Sequence, residues 1–198
     1  MVDLAEAGIC PNLARLLDDA AVVDTVAPYG TFVGSSWMTI STGAAVGTHR
    51  YWNWAEVDPQ TYEARETTPR ASRRPPFWQT LSDAGRRVAV LDVPHAGLPE
   101  ELNGLLVKEW GCHDRHDGPA SHPPELLAEL DGRHGRHYGA VDHPHFDAFA
   151  PCDYTLRAGE RRTVEEERRL FTTILDGLHR KLHASLDLMS REPWDLFL

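Results

Sequence analysis

The run Arg87-Val88-Ala89-Val90-Leu91-Asp92-Val93 sets the tightest limit on the fold. A strand with one wet face alternates apolar and polar residues. This run does not alternate, so it predicts a strand covered on both faces, as in a parallel sheet under helices. The segment before it, Pro75 to Gly85, reads as a helix closed by Gly85, a typical residue just past a helix end. Leu105-Leu106-Val107 reads as a second short strand, and Ala21 to Val26 as a β-rich run. Pro11 to Leu17 is helical with proline near its start. Pro123 to Leu130 is a short helix. Thr163 to about Arg191 is a long one, with Leu170, Ile174, Leu178, Leu182 and Leu186 roughly a turn apart. After Pro193, Trp194-Asp195-Leu196-Phe197-Leu198 reads as the opening of a buried strand. Helices alternating with buried strands give the α/β class: a mostly parallel sheet flanked by helices.

A chain of 198 residues is long enough for one domain with a sizeable core. The expectation is a single partial catalytic domain over residues 1–198, with an irregular loop or cap at about 110–160. The partial character rests on the two ends: no first strand precedes the opening helix, and the chain stops on strand-like sequence. The remainder of a parent chain is then an expected partner. The net charge of −10 argues against a nucleic-acid scaffold as partner. Clusters such as Arg70-Ala71-Ser72-Arg73-Arg74 and Arg161-Arg162 read as solvated loop and helix-start charges. No apolar run is long enough to span a bilayer, and no membrane partner is expected. The N-terminus lacks the pattern of a signal peptide. Cys10, Cys112 and Cys152 are an odd, widely spaced set without a CxxC pair, which fits reduced thiols and a cytoplasmic location.

The segment Gly34-Ser35-Ser36-Trp37-Met38-Thr39-Ile40-Ser41-Thr42-Gly43, with Gly47-Thr48-His49 after it, carries the candidate chemistry. With the apolar run before it, it reads as a strand running into a turn, then a short helix whose first turn is rich in hydroxyls. A helix start offers backbone N–H groups and partial positive charge to an oxyanion or phosphate. A Ser or Thr held there is a nucleophile once a metal or base activates it. The structural alternative is a helix cap, since Ser and Thr are favoured in that place.

These residues, in order with Pro11-Asn12-Leu13-Ala14-Arg15-Leu16, Pro76-Phe77-Trp78-Gln79-Thr80-Leu81-Ser82-Asp83-Ala84-Gly85, Val88 to Pro94 and Trp194-Asp195-Leu196-Phe197, resemble the alkaline-phosphatase superfamily. The resemblance is to its type I phosphodiesterase/nucleotide pyrophosphatase branch and covers most of the chain outside about 110–160. It implies a partial alkaline-phosphatase-like fold and a hydrolase of small-molecule phosphoric esters. It also implies two divalent metal ions, usually zinc, and a Ser or Thr nucleophile that becomes phosphorylated. By the resemblance, the family's metal ligands fall before Met1 and after Leu198, so no metal ligand is assigned here. The position matching the family's nucleophile is Val33, which has no hydroxyl. Thr31 and Ser35 are the catalytic candidates, with Ser36 and Trp37 as substrate contacts. His49 resembles the family's His after the Thr-Gly motif and reads as structural. The alternative is an inactive α/β binding or assembly module on the same scaffold. The Cys-x-Pro-x-Arg pattern of sulfatases does not occur.

The middle of the chain is rich in histidine and aspartate: His113, Asp114, His116, Asp117, His122, His134, His137, His143, His145 and Asp147. Such a set has metal-ligand chemistry, but the glycine- and proline-rich setting reads as a surface loop with solvated histidines. His179 and His183 lie one turn apart on the long helix. Position 180 is not Glu, so the zinc-protease pattern is absent and a polar helix face is expected.

Overall fold

The structure is a computed structural model that describes residues 2–27, 29–53, 55–68, 72–111, 118–135 and 163–198. Its contacts separate into two units, Met1–Gly30 and Thr31–Leu198.

The first unit holds helices α1 (Val2–Glu6) and α2 (Pro11–Asp19). Gly8, at φ 72°, closes α1: Ile9 N–H donates to the Leu4 carbonyl at 2.9 Å and Gly8 N–H to the Ala5 carbonyl at 3.0 Å. That is the paired bonding of a left-handed helix stop. Pro11 opens α2 as the sequence predicts. The β-rich run Ala21–Val26 does not form a strand: it is exposed, and Val26 is 91 % accessible. β-branched residues favour extended backbone, but a strand exists only where a neighbour takes its N–H and C=O groups. No strand is present in this unit among the described residues.

The second unit contains α3 (Val33–Thr42), α4 (Val46–His49), β1 (Ala55–Val57), β2 (Ala64–Glu66), α5 (Phe77–Asp83) and β3 (Val88–Leu91). It continues through β4 (Gly104–Lys108), β5 (Ala120–His122), α6 (Leu126–His134), α7 (Val164–Arg191) and β6 (Leu196–Phe197). β1 and β2 form an antiparallel hairpin. The main sheet has the order β5-β4-β3-β6, parallel throughout except at β5. β3 is thus a central strand, as its unbroken apolar run requires. Ala89 of β3 and Leu105 and Val107 of β4 face Leu126 and Leu130 of α6 and Ala184 and Leu188 of α7. Val90 and Leu106 point the other way, against Trp78 of α5 and Ala96. The strand period of two therefore feeds two apolar layers, one on each face of the sheet.

The backbones of β3 and β4 approach closely at Gly104, where φ is 145° and an added Cβ would lie 1.9 Å from the Val88 carbonyl oxygen. The long helix lies where expected, but the leucine ladder is not its sheet-facing side. Leu178, Leu182 and Leu186 are exposed, and Ala184 and Leu188 make the contact. Small Ala184 lets α7 sit close to the sheet. The helix is also tied down by charge. Asp187 accepts from Arg191 Nη2 at 2.8 Å and lies 3.1 Å from His134 Nε2, and Arg191 reaches Glu129 of α6 at 3.0 Å. The Arg191 hydrogen bond, helped by His134 and by the Arg191 and Arg133 charges, holds the Asp187 carboxyl at about 2. A carboxyl held below its unfolded value stabilises the fold above that unfolded value, and the contribution is lost as pH falls through the folded one.

Two outcomes are expected from denaturant unfolding of the folded chain. Asp187→Asn is destabilised by about 1.5–3 kcal/mol near neutral pH, the scale of charged hydrogen bonds, and its deficit against wild type shrinks between about pH 4 and 2. Gly104→Ala loses about 2–4 kcal/mol, since strained φ and a backbone overlap combine. A constant Asp187 deficit down to pH 2 would refute the first expectation, and an unshifted Gly104→Ala midpoint the second.

Candidate active site

The hydroxyl-rich segment folds as the short helix α3, followed after Gly43 by α4. Gly43 takes a left-handed φ of 63° and its N–H donates to the Thr39 carbonyl, which ends α3. The N-cap is Phe32, and no side chain caps the helix start among the described residues. The hydroxyls are therefore not caps. Ser35 is fully buried and its Oγ donates to the Trp52 carbonyl at 2.8 Å. Ser41 and Thr42 bond back to the Met38 carbonyl, at 3.2 and 2.6 Å. Thr39 Oγ1 lies 3.1 Å from His49 Nε2. Thr31 is half-buried and directly precedes the N-cap, while Ser36 and Trp37 are half-buried on the first turn. The segment thus brings Thr31, Ser35, Ser36 and Trp37 to one end of one helix, with Ser35 turned inward.

His49 is fully buried. Its Nδ1 accepts the Tyr51 N–H at 3.0 Å, which assigns the proton to Nε2 and makes Thr39 Oγ1 the acceptor. Burial lowers its pKa from the usual 6.5. His49 is thus the loop-fixing residue expected from the sequence. It holds α4 to α3, and its own carbonyl accepts the Arg73 N–H at 3.1 Å.

Behind the start of α3 stands a group absent from the sequence reading. Tyr51 is fully buried, and its hydroxyl lies 3.3 Å from both the Thr67 carbonyl and His95 Nδ1. The Phe32 ring lies 5.6 Å from that of Tyr51 and meets His95 edge-on at 6.0 Å. A Cβ at Gly34 would strike the Phe32 ring at 2.2 Å and come within 3.0 Å of His95 Nε2. Gly34 therefore lets the aromatic group pack against the helix backbone. His95 follows the carboxyl end of β3, with φ 58°. Ligand sites in open α/β sheets gather at such strand ends, and that rule is the signal that points to His95.

At the same strand end Asp92, its side chain fully buried, accepts the N–H groups of Trp110 and Gly111 at 2.9 and 2.8 Å and pairs with Lys181 at 2.7 Å. Elsewhere, His179 and His183 are exposed on α7 and His134 pairs with Asp187. His113, His116, His137, His143, His145 and the neighbouring aspartates lie outside the described residues. Among the described residues no three His, Cys, Asp or Glu side chains converge as a metal-ion site. No described helix is long and apolar enough to cross a membrane.

A mostly parallel four-stranded sheet flanked by helices is consistent with a partial alkaline-phosphatase-like fold. The chain matches the type I phosphodiesterase / nucleotide pyrophosphatase family over residues 2–195 and belongs to it. That family hydrolyses small phosphate esters and generally uses divalent metal ions. No curated protein and no solved structure matches the chain.

Ser35→Ala is expected to cost about 1–2 kcal/mol, because it leaves the Trp52 carbonyl without its buried donor. His49→Gln is expected to flatten the loss of thermal stability as pH falls below about 6.5, since a buried His with a lowered pKa stabilises only above its unfolded value. Melting curves from pH 7.5 to 5 test both. A Ser35→Ala protein as stable as wild type, or a His49→Gln profile as steep as wild type, would contradict them.

Proposed function

We propose that this chain is a phosphoric-ester hydrolase in which the start of α3 receives the phosphoryl group and Thr31 is the attacking hydroxyl. The observation carrying this reading is the uncapped start of α3, with half-buried Thr31 directly before it. Ser35 N–H is taken by the Phe32 carbonyl at 3.0 Å, so this helix start offers phosphoryl oxygens the Val33 and Gly34 N–H groups and positive potential. Ser35, the other candidate, is sealed from solvent and gives its proton to the Trp52 carbonyl. An oxygen held that way cannot reach a phosphorus atom without opening the loop. Ser36 and Trp37, half-buried near the start of α3, are assigned as substrate contacts. In the proposed step Thr31 Oγ1 bonds to phosphorus while the ester P–O bond breaks and the leaving oxygen takes a proton. Water then cleaves the phosphothreonine.

Two divalent ions, zinc by family resemblance, would supply charge stabilisation. The described residues do not fit that centre. Asp92 is committed to two amides and Lys181, and both nitrogens of His49 are in hydrogen bonds. This misfit favours a second reading, in which the scaffold binds phosphate esters without turning them over.

Hydrolysis of bis(p-nitrophenyl) phosphate with added zinc separates the two. Turnover is expected to fall at least about a hundredfold in Thr31→Ala, with a phosphoryl adduct trapped on the Thr31 peptide of wild type. Turnover that survives Thr31→Ala removes Thr31 from the chemistry. Binding without any turnover selects the second reading.

A further inference from the structure

A cavity of about 380 Å³ opens beside α3, between the Ser72–Pro76 segment, α5 and the Gly97–Pro99 turn. Its size falls within the range of small-molecule sites. Met38, Trp78 and Leu98 give it apolar walls, and His95 lines it toward the first turn of α3. Arg73 and Arg74, both exposed, also line it.

The charge of this lining is opposite to that of the chain. The protein carries 30 Asp and Glu against 20 Lys and Arg, yet among the described residues no carboxylate lines the cavity. Other arginines, such as Arg133, Arg180 and Arg191, sit in ion pairs. Among the described residues neither Arg73 nor Arg74 has a carboxylate partner. Their backbone is nevertheless fixed. Arg73 N–H donates to the His49 carbonyl at 3.1 Å, Ser72 Oγ donates to the Arg74 carbonyl at 3.0 Å, and Arg74 N–H returns to Ser72 Oγ at 3.3 Å. Two adjacent guanidinium groups are thus based on an anchored segment over an apolar recess. Guanidinium groups bind carboxylate and phosphate through paired N–H donors.

We infer that this cavity binds a small organic acid, its flat apolar body against Met38, Trp78 and Leu98 and its carboxylate or phosphate on Arg73 and Arg74. The acid is either a second acidic group of the hydrolysed substrate or a free ligand. The inference stands on the cavity and goes beyond the proposed hydrolysis, so its test reads binding and not turnover.

Benzoate, phenyl phosphate and neutral benzyl alcohol are titrated into the full chain while the ¹³C-methyl resonance of Met38 is followed. Met38 is one of only three methionines. Saturable Met38 shifts are expected with both anions, with benzyl alcohol at least about tenfold weaker. Arg73→Gln/Arg74→Gln, two exposed loop changes, should weaken both anions at least about tenfold while leaving the melting temperature unchanged. Phenyl phosphate weakened by Thr31→Ala with benzoate unchanged would identify the acid as part of the substrate; both unchanged would identify a free ligand. No saturable Met38 shift, benzyl alcohol binding as well as benzoate, or affinities that survive the double Gln change would overturn the inference. Loss of hydrolysis in any variant bears only on the preceding proposal.

Discussion

The buried carboxylate of Asp92 ties together the elements on which the site rests. It sits in a left-handed conformation at the end of central strand β3 and binds the two amides that follow β4 and the ammonium of Lys181 on α7. A lone carboxylate in such a place would be expensive, and one held by three donors is not. The arrangement fixes three things together: where β3 stops, how the chain leaves β4, and how α7 lies on the sheet. His95 follows three residues later, in a turn closed by Ala96 N–H donating to the Val93 carbonyl at 3.1 Å.

The fold was largely legible in the sequence because its main signals are local. The unbroken apolar run of β3 requires cover on both faces, and the two core layers supply it. Gly85, at φ 77°, ends the segment after α5 as its sequence position suggests. Other features depend on partners that no local pattern names. Ala21–Val26 has strand-forming residues but no strand beside it. Ala120–His122 is short and free of β-branched residues, and becomes β5 only because β4 offers an edge. On α7 the leucine spacing gives the helix but not its orientation. Close packing on the sheet selects Ala184, and the ladder of Leu178, Leu182 and Leu186 faces away.

The site was legible in part for the same reason. The hydroxyls, Gly43 and His49 lie in one short stretch, so their association was visible. The use of each hydroxyl was not. Cap preference suggested N-terminal bonds, yet Ser35 reaches Trp52 and Thr39 reaches His49 because the chain folds back through α4. Tyr51 and His95 meet across a sequence separation of 44, which no spacing rule spans. Gly34 carried a hidden requirement too: it looked like a turn residue, but its function is to leave room for Phe32 and His95.

A helix start and a hydroxyl define where a phosphoryl group can sit, but not how a proton leaves. The field at the start of α3 favours negative charge and does not itself accept a proton. His49 is unsuited to that task. Its Nδ1 lone pair is engaged by the Tyr51 amide, its Nε2 proton by Thr39, and burial opposes its charged form. The aromatic group around His95 lies nearer to the helix start, with Nε2 against the backbone of Gly34. In the proposed hydrolase, phosphoryl binding would rest on one local segment, and proton transfer on groups that the three-dimensional fold brings to the end of β3.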